Sequence, residues 1–150
     1  MSINYRIAQI ADVPQVYQFA EDKLRLEIPD DMELMMAVWN SRFRKEALEH
    51  YLKMGWSFIA YDENEKIHGF FLGQPFLFFQ GHTQTLWVEM ITAADFKIEA
   101  ELAEIAIKLS RDKHLQKVVL PKSVETLHFE NSVFKFQKWS DECVWVKTTK

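Results

Sequence analysis

The apolar positions change period several times along the chain, and each change marks an element. Residues 3–7 alternate, with Ile3, Tyr5 and Ile7 on one face, which predicts a short first strand. From Asp12 the spacing turns helical: Val13, Val16, Tyr17, Ala20 and Leu24 share a stripe. Asp12 is the expected N-cap, and Pro14 is tolerated in the first turn because the amide it removes would be unpaired. Pro29, Asp30 and Asp31 close this unit and open a second helical region, marked by Met32, Met35, Met36 and Trp39 and then by Ala47, Leu48, Tyr51 and Leu52. Gly55 is placed to end that region as a C-cap.

Beyond Gly55 the pattern becomes strand-like. Residues 56–61 read as a strand, residues 62–66 as a polar turn, and residues 67–79 as a strongly apolar strand. Gly73 and Pro75 interrupt that strand and predict a bulge or bend, since proline cannot donate to a central ladder. Gly81 and His82 make the next turn, residues 83–92 another strand, and Ile98, Leu102, Ile105, Ala106 and Leu109 a third helix. A buried strand over 118–120, a helix over 124–136 and a closing strand over 143–148 complete the chain. The expected order is therefore strand, two helices, three strands, helix, strand, helix, strand, in a single domain over 1–150. Three strands joined by short turns favour antiparallel pairing, whereas strand–helix–strand favours a parallel right-handed crossover.

Composition narrows the functional classes. Twelve Phe, five Trp and four Tyr supply enough burial for a core without disulfide or metal. The lone Cys143 excludes an internal disulfide and a multi-cysteine zinc site, and the five histidines have no metal-ligand spacing. A net charge of −4 gives no footprint for nucleic acid. No signal-peptide pattern and no apolar run approaching ~18 residues is present, so the expectation is a cytoplasmic protein with no membrane partner. The run Phe70, Phe71, Phe76, Leu77, Phe78, Phe79 is too apolar for one wet face; it requires helices on both faces or a partner subunit, as in a homodimer.

Several segments together resemble the GNAT superfamily of acyl-CoA N-acyltransferases. They are Tyr5-Arg6-Ile7-Ala8 leading to Ala11-Asp12-Val13-Pro14; Lys66-Ile67-His68-Gly69-Phe70; Leu115-Gln116-Lys117-Val118-Val119-Leu120; and Val133-Phe134-Lys135-Phe136-Gln137-Lys138-Trp139, similar in position to the family's closing L-Y-E-K-L-G-F. The resemblance spans nearly the whole chain. It implies an α/β (α+β) fold with a mixed, mostly antiparallel central sheet, a parallel splayed strand pair and about four flanking helices. It also implies transfer of an acyl group from acetyl-CoA or another acyl-CoA to a small-molecule or peptide amine.

Two departures set a second reading beside that one, a GNAT-fold ligand-binding or assembly module that has no catalysis and needs no cofactor. The family's Q/R-x-x-G-x-G/A loop, whose glycines let backbone amides approach the CoA pyrophosphate, corresponds here to Thr92-Ala93-Ala94-Asp95-Phe96-Lys97-Ile98-Glu99. Asp95 and Glu99 bring negative charge to a helix end that should attract phosphate; equally, they suit capping and the helix dipole. Phe134 stands where many relatives carry a proton-donating tyrosine. The resemblance places cofactor contacts at Met90, Ile91, Lys97 and Ile98; Glu89, flanked by Trp87, Val88, Met90 and Ile91, is either the candidate base or an acid that faces solvent or pairs with a lysine of a neighbouring strand. The methionine–tryptophan stripe either packs into the core or lines an acceptor cleft.

Overall fold

The computed structural model describes residues 2–76, 84–122, 124, 137–138 and 143–148. Its elements are β1 (Asn4–Ile7), a 3-10 turn (Ile10–Asp12), α1 (Val13–Glu27), α2 (Asp31–Trp39), α3 (Lys45–Met54), β2 (Phe58–Tyr61), β3 (Ile67–Phe76), β4 (Thr85–Ala93), α4 (Phe96–Asp112), β5 (Lys117–Pro121), β6 (Gln137–Lys138) and β7 (Cys143–Lys147). Among the described residues the strands form one seven-stranded sheet in the order β1-β2-β3-β4-β5-β7-β6. Every neighbouring pair is antiparallel except β4 and β5, which run parallel on either side of the α4 crossover.

Helices cover both faces of the sheet, and the period-2 alternation of β3 shows how. Phe70 is 1% exposed and packs with Val16, Ala20, Leu48 and Leu52 of α1 and α3; its neighbour Phe71 is 0% exposed and packs with Leu102, Ala106 and Ile107 of α4. Burial of two such rings on opposite faces requires covering layers on both, which the helices supply without a partner. Phe76 remains partly exposed, edge-on to Trp87, and residues 77–79 lie outside the described residues. Pro75 sits inside β3 opposite Leu86, beyond the last β2 pairing at Phe71, where the amide it lacks is not needed by β2.

Three expectations change. The second helical region is two helices, because the chain turns after Trp39: the Ser41 hydroxyl donates to the Val38 carbonyl at 2.7 Å, capping the end of α2. Phe43 then drops into the α1 cluster, edge-on to Tyr17; had the helix continued, it would have stayed on the exposed stripe. Asp12 does not cap α1 with its side chain. Its carboxylate accepts both Arg6 guanidinium nitrogens and the Gln9 amide, each at 2.8 Å, and the preceding 3-10 turn already supplies the helix start. The third change concerns Met32, Met35, Met36 and Trp39, which are exposed by 59–70% and do not form a core face.

Gly55 does end α3, at φ +80°. The strand at Gln137–Lys138 was not anticipated from the sequence. The turn at Gly81 and His82, the helix expected over 124–136 apart from Val124, and Phe134 lie outside the described residues.

Candidate functional site

The site is organised by β4, which carries one residue more than the strand it pairs with. Leu72 faces Met90 and Gly73 faces Val88, so Glu89 is the unpaired residue of a β-bulge. A bulge bends its strand and can aim successive side chains to one side of the sheet. Here Glu89 and Met90 both look towards the α1–α3 face: Glu89 meets Arg42 before α3, and Met90 packs against the α1–α3 cluster. Ile91 returns to the α4 side and is buried there.

On its other edge β4 pairs with β5 only at Thr85–Lys117, Leu86–Val118 and Trp87–Val119. Both strands continue, to Ala93 and to Pro121, without further pairing. They part after Trp87, and the V between them begins just before Glu89, Met90 and Ile91. A backbone split of this kind leaves donors and acceptors that an extended ligand can satisfy.

Glu89 is held by its neighbours. The Arg42 guanidinium lies 2.9 Å from Oε1 and the Trp87 indole N–H donates to Oε2 at 2.6 Å, leaving the carboxylate side chain 25% exposed. Tyr51 of α3 shares this surrounding: burial first, then the charge of Glu89, pushes its hydroxyl up to about 12, which keeps it protonated and able to donate. Sequence reasoning treated Tyr51 as a core residue of a helix stripe, and nothing in its spacing ties it to Glu89. A cavity of about 160 Å³ lies alongside, lined by Ala20, Lys23, Leu24, Glu27, Phe43, Met90 and Thr92.

The far end of β4 runs almost directly into α4, with only Ala94 and Asp95 between them. The Ala94 amide is bonded to the His68 carbonyl at 2.7 Å, and the Lys23 ammonium donates to the Ala93 carbonyl. Asp95 caps the helix, its Oδ1 accepting the Ile98 amide at 2.8 Å. Ile98 is 4% exposed and its side chain belongs to the α4 core, whereas Lys97 is exposed. Glu99 is half-buried, and burial raises its carboxyl pKa against the opposing pull of Lys23. The amides of Ala94 and Ile98 at this turn are therefore already satisfied from within the chain.

A mixed seven-stranded sheet with a bulged fourth strand, splayed from a parallel fifth across a helical crossover, is the fold of the GNAT N-acetyltransferases. Solved structures place the chain there over its full length. The PaiA N-acetyltransferase of Thermoplasma acidophilum, solved with coenzyme A, matches with a TM-score of 0.67 at 16% identity, covering 100% of both chains. A GNAT-family acetyltransferase of Staphylococcus aureus matches at 0.68 and 13% identity, covering 99% of this chain and 100% of that one. The polyamine N-acetyltransferase of Drosophila melanogaster, which forms N-acetylagmatine, matches at 0.67 and 12% identity over 97% and 98%. Identities this low make the likeness one of fold. No family sequence model and no curated protein sequence matches the chain. Among the described residues no helix is long and apolar enough to cross a membrane.

Proposed function

We propose that the chain is an N-acyltransferase that receives the acyl-bearing arm of an acyl-CoA in the V between β4 and β5 and passes the acyl group to an amine. The observation that carries this reading is the bulge at Glu89 with its splayed strands, because a sheet gains no stability from a broken ladder. In this reading the backbone at Met90 and Ile91 lies along the carrier arm. Glu89 accepts the proton of the attacking amine, the C–N bond forms as the thioester C–S bond breaks, and the proton passes on to the departing CoA sulfur, so that the amide and the CoA thiol leave and Glu89 returns to a carboxylate. Arg42 and Trp87 hold the Glu89 carboxylate in position, and Tyr51 donates a hydrogen bond to it or to the leaving group. Lys97 and the start of α4 meet the diphosphate end, with less purchase than a helix whose amides are unoccupied. Amines are the acceptors named for the Drosophila relative, which supports an amine here.

A second reading, a GNAT-fold module that binds without catalysis, is favoured by the Asp95 cap, which occupies one of the amides a pyrophosphate would use. Calorimetric titration with acetyl-CoA, paired with a thiol-release assay over a panel of primary amines, separates the two. The enzyme reading expects weak binding and amine-dependent thiol release that falls at least about tenfold in Glu89→Gln with binding retained. Binding without turnover for any amine, or turnover indifferent to Glu89→Gln, would refute the role given to Glu89. No binding at millimolar acetyl-CoA leaves the module reading.

A further inference from the structure

The first rung of the β4–β5 seam carries two buried polar side chains, Thr85 and Lys117, which stand opposite each other in the parallel register. Leu86, Val88, Val118 and Leu120 fill the α4 cluster, so strand alternation turns Thr85, Trp87, Lys117 and Val119 to the other face, the one Glu89 looks towards. Thr85 is 0% exposed there, and among the described residues its hydroxyl has no hydrogen-bond partner. Lys117 is 6% exposed, and among the described residues no carboxylate pairs with it. Its ammonium lies 3.6 Å from the centre of the Trp145 ring, an attraction that orients a cation without neutralising it. Burial lowers the Lys117 pKa, the direction expected where no anion opposes desolvation. Glu89, on the same face of β4, is engaged by Arg42 and Trp87.

A folded interior pairs nearly all of its polar atoms, and a buried cation without a counter-ion is costlier still than a bare hydroxyl. One anionic oxygen group satisfies both: it accepts from the Thr85 hydroxyl and pairs with the Lys117 ammonium. The place of the rung says which molecule brings that group. The ladder ends at Trp87–Val119, where the proposed cleft begins, and Thr85–Lys117 lies two residues behind it, ~7 Å along the strands. In the proposed reading the CoA diphosphate lies at the start of α4 and its arm runs back along Ile91 and Met90. The thioester then arrives beside Glu89 with its acyl group directed at Trp87, and a chain extended past Trp87 and Val119 meets the Thr85–Lys117 rung with its far end. Lysine's flexible four-carbon stem lets the ammonium come forward to a short chain. An acetyl group ends before this rung. A succinyl group brings an aliphatic middle for Val119 and a carboxylate for Lys117 and Thr85. Lys147, paired in register with Lys117 and exposed, adds positive charge on the same side.

We propose that the acyl donor is a CoA thioester whose acyl group ends in a carboxylate, with succinyl as the model case, held at that end by Lys117 and Thr85. This rests on the V as the carrier cleft. Transfer is unchanged: the amine C–N bond replaces the thioester C–S bond, and the terminal carboxylate takes no part. Calorimetry compares succinyl-CoA with butyryl-CoA, which has the same chain length and a methyl group in place of the carboxylate. The wild type is expected to bind succinyl-CoA at least about tenfold more tightly. Lys117→Met should abolish that preference while butyryl-CoA affinity and the melting temperature stay at least as high, since the variant buries no charge. Thr85→Val should remove part of the preference. Equal affinity of the wild type for the two thioesters overturns the carboxylate site and leaves the V reading standing. If neither binds at millimolar concentration, the V reading falls and the proposal with it. A preference that survives Lys117→Met overturns the proposal and makes Lys117 a packing residue. Should Lys117→Met fail to fold, Thr85→Val, which keeps the side-chain shape, decides alone: an undiminished preference there overturns the site.

Discussion

The middle of β4 and its far end differ in what they offer the ligand proposed for this sheet. Around Glu89 the chain has what the proposed acyl-carrier cleft requires: a bulge, a parallel partner that pairs for three residues, and a V beyond it. At Asp95 the helix start is instead occupied by the chain itself, through a two-residue connection and a side-chain cap. The first feature is a property of backbone register, set by residue count and hydrophobic alternation, and many sequences can keep it. The second depends on a few glycines and on the sign of a few charges, and single substitutions can remove it. Under the proposed reading, a fold of this type outlasts the detail of its phosphate site.

The most damaging test of that contrast strikes the register. A Cβ at Gly73, opposite the bulge, would stand 2.6 Å from the Trp56 carbonyl oxygen, a backbone atom. Gly73 also donates its amide to the Ser57 hydroxyl at 3.0 Å, so it has little room to move away. Gly73→Ala should cost about 1–3 kcal/mol in chemical denaturation, as overpacking does, and should reduce acyl-CoA binding along with stability. Stability unchanged within error would mean that the strands there yield easily and that the V is not held by close packing.

The next test strikes side-chain chemistry and should move stability and binding in opposite directions. Asp95→Gly releases the Ile98 amide and removes a charge from the helix start. We expect about tenfold tighter acetyl-CoA binding, since an exposed charge is screened and full Coulombic repulsion is not recovered. Loss of the cap should lower stability by about 0.5 kcal/mol. Calorimetry and thermal melts on the same sample check both signs. Weaker binding in Asp95→Gly would mean that the cap organises the site and does not obstruct it.

The smallest expected effect lies away from the cleft and serves as a control. The Arg6 guanidinium holds the Asp12 carboxyl below its ordinary value of 3.8. A depressed carboxylate contributes stability above its unfolded pKa and loses it as pH falls through the folded value. Asp12→Asn should therefore be less stable than wild type at neutral pH, by about 1 kcal/mol because Arg6 is partly solvated. The two should converge in melts taken well below pH 3.8. Acetyl-CoA binding should not change.

These contrasts follow the line between what the sequence disclosed and what it withheld. Alternation and turn residues disclosed the antiparallel β2–β3–β4 run, and the strand–helix–strand spacing disclosed the parallel β4–β5 pair, because those signals are local. Asp95 was legible as a cap for the same reason. The split between α2 and α3 was not, since it depends on Phe43 finding a place against Tyr17. Nor could spacing decide what the methionine stripe faces: periodicity identifies an apolar side, while its cover is a tertiary or quaternary fact. Asp12 fitted a cap by position until Arg6, across the turn, claimed its carboxylate. Tyr51 reached the surroundings of Glu89 only through the packing of α3 on the sheet, which leaves no mark in the chain between them.

The three-rung seam between β4 and β5 also bears on how the molecule opens. It divides the sheet into β1–β2–β3–β4 and a smaller block of β5, β7 and β6, with α4 bridging both through one apolar cluster. Cooperative units in native-state hydrogen exchange tend to follow such joints. The amides of Val118, Val119, Leu120, Val144 and Val146 are deeply buried, yet they belong to the block with fewer ladders to break. They should exchange together, at a lower opening free energy than the amides of Ile59, Phe70 and Phe71. A carrier arm bridging the V would close that gap by lacing the two blocks into one.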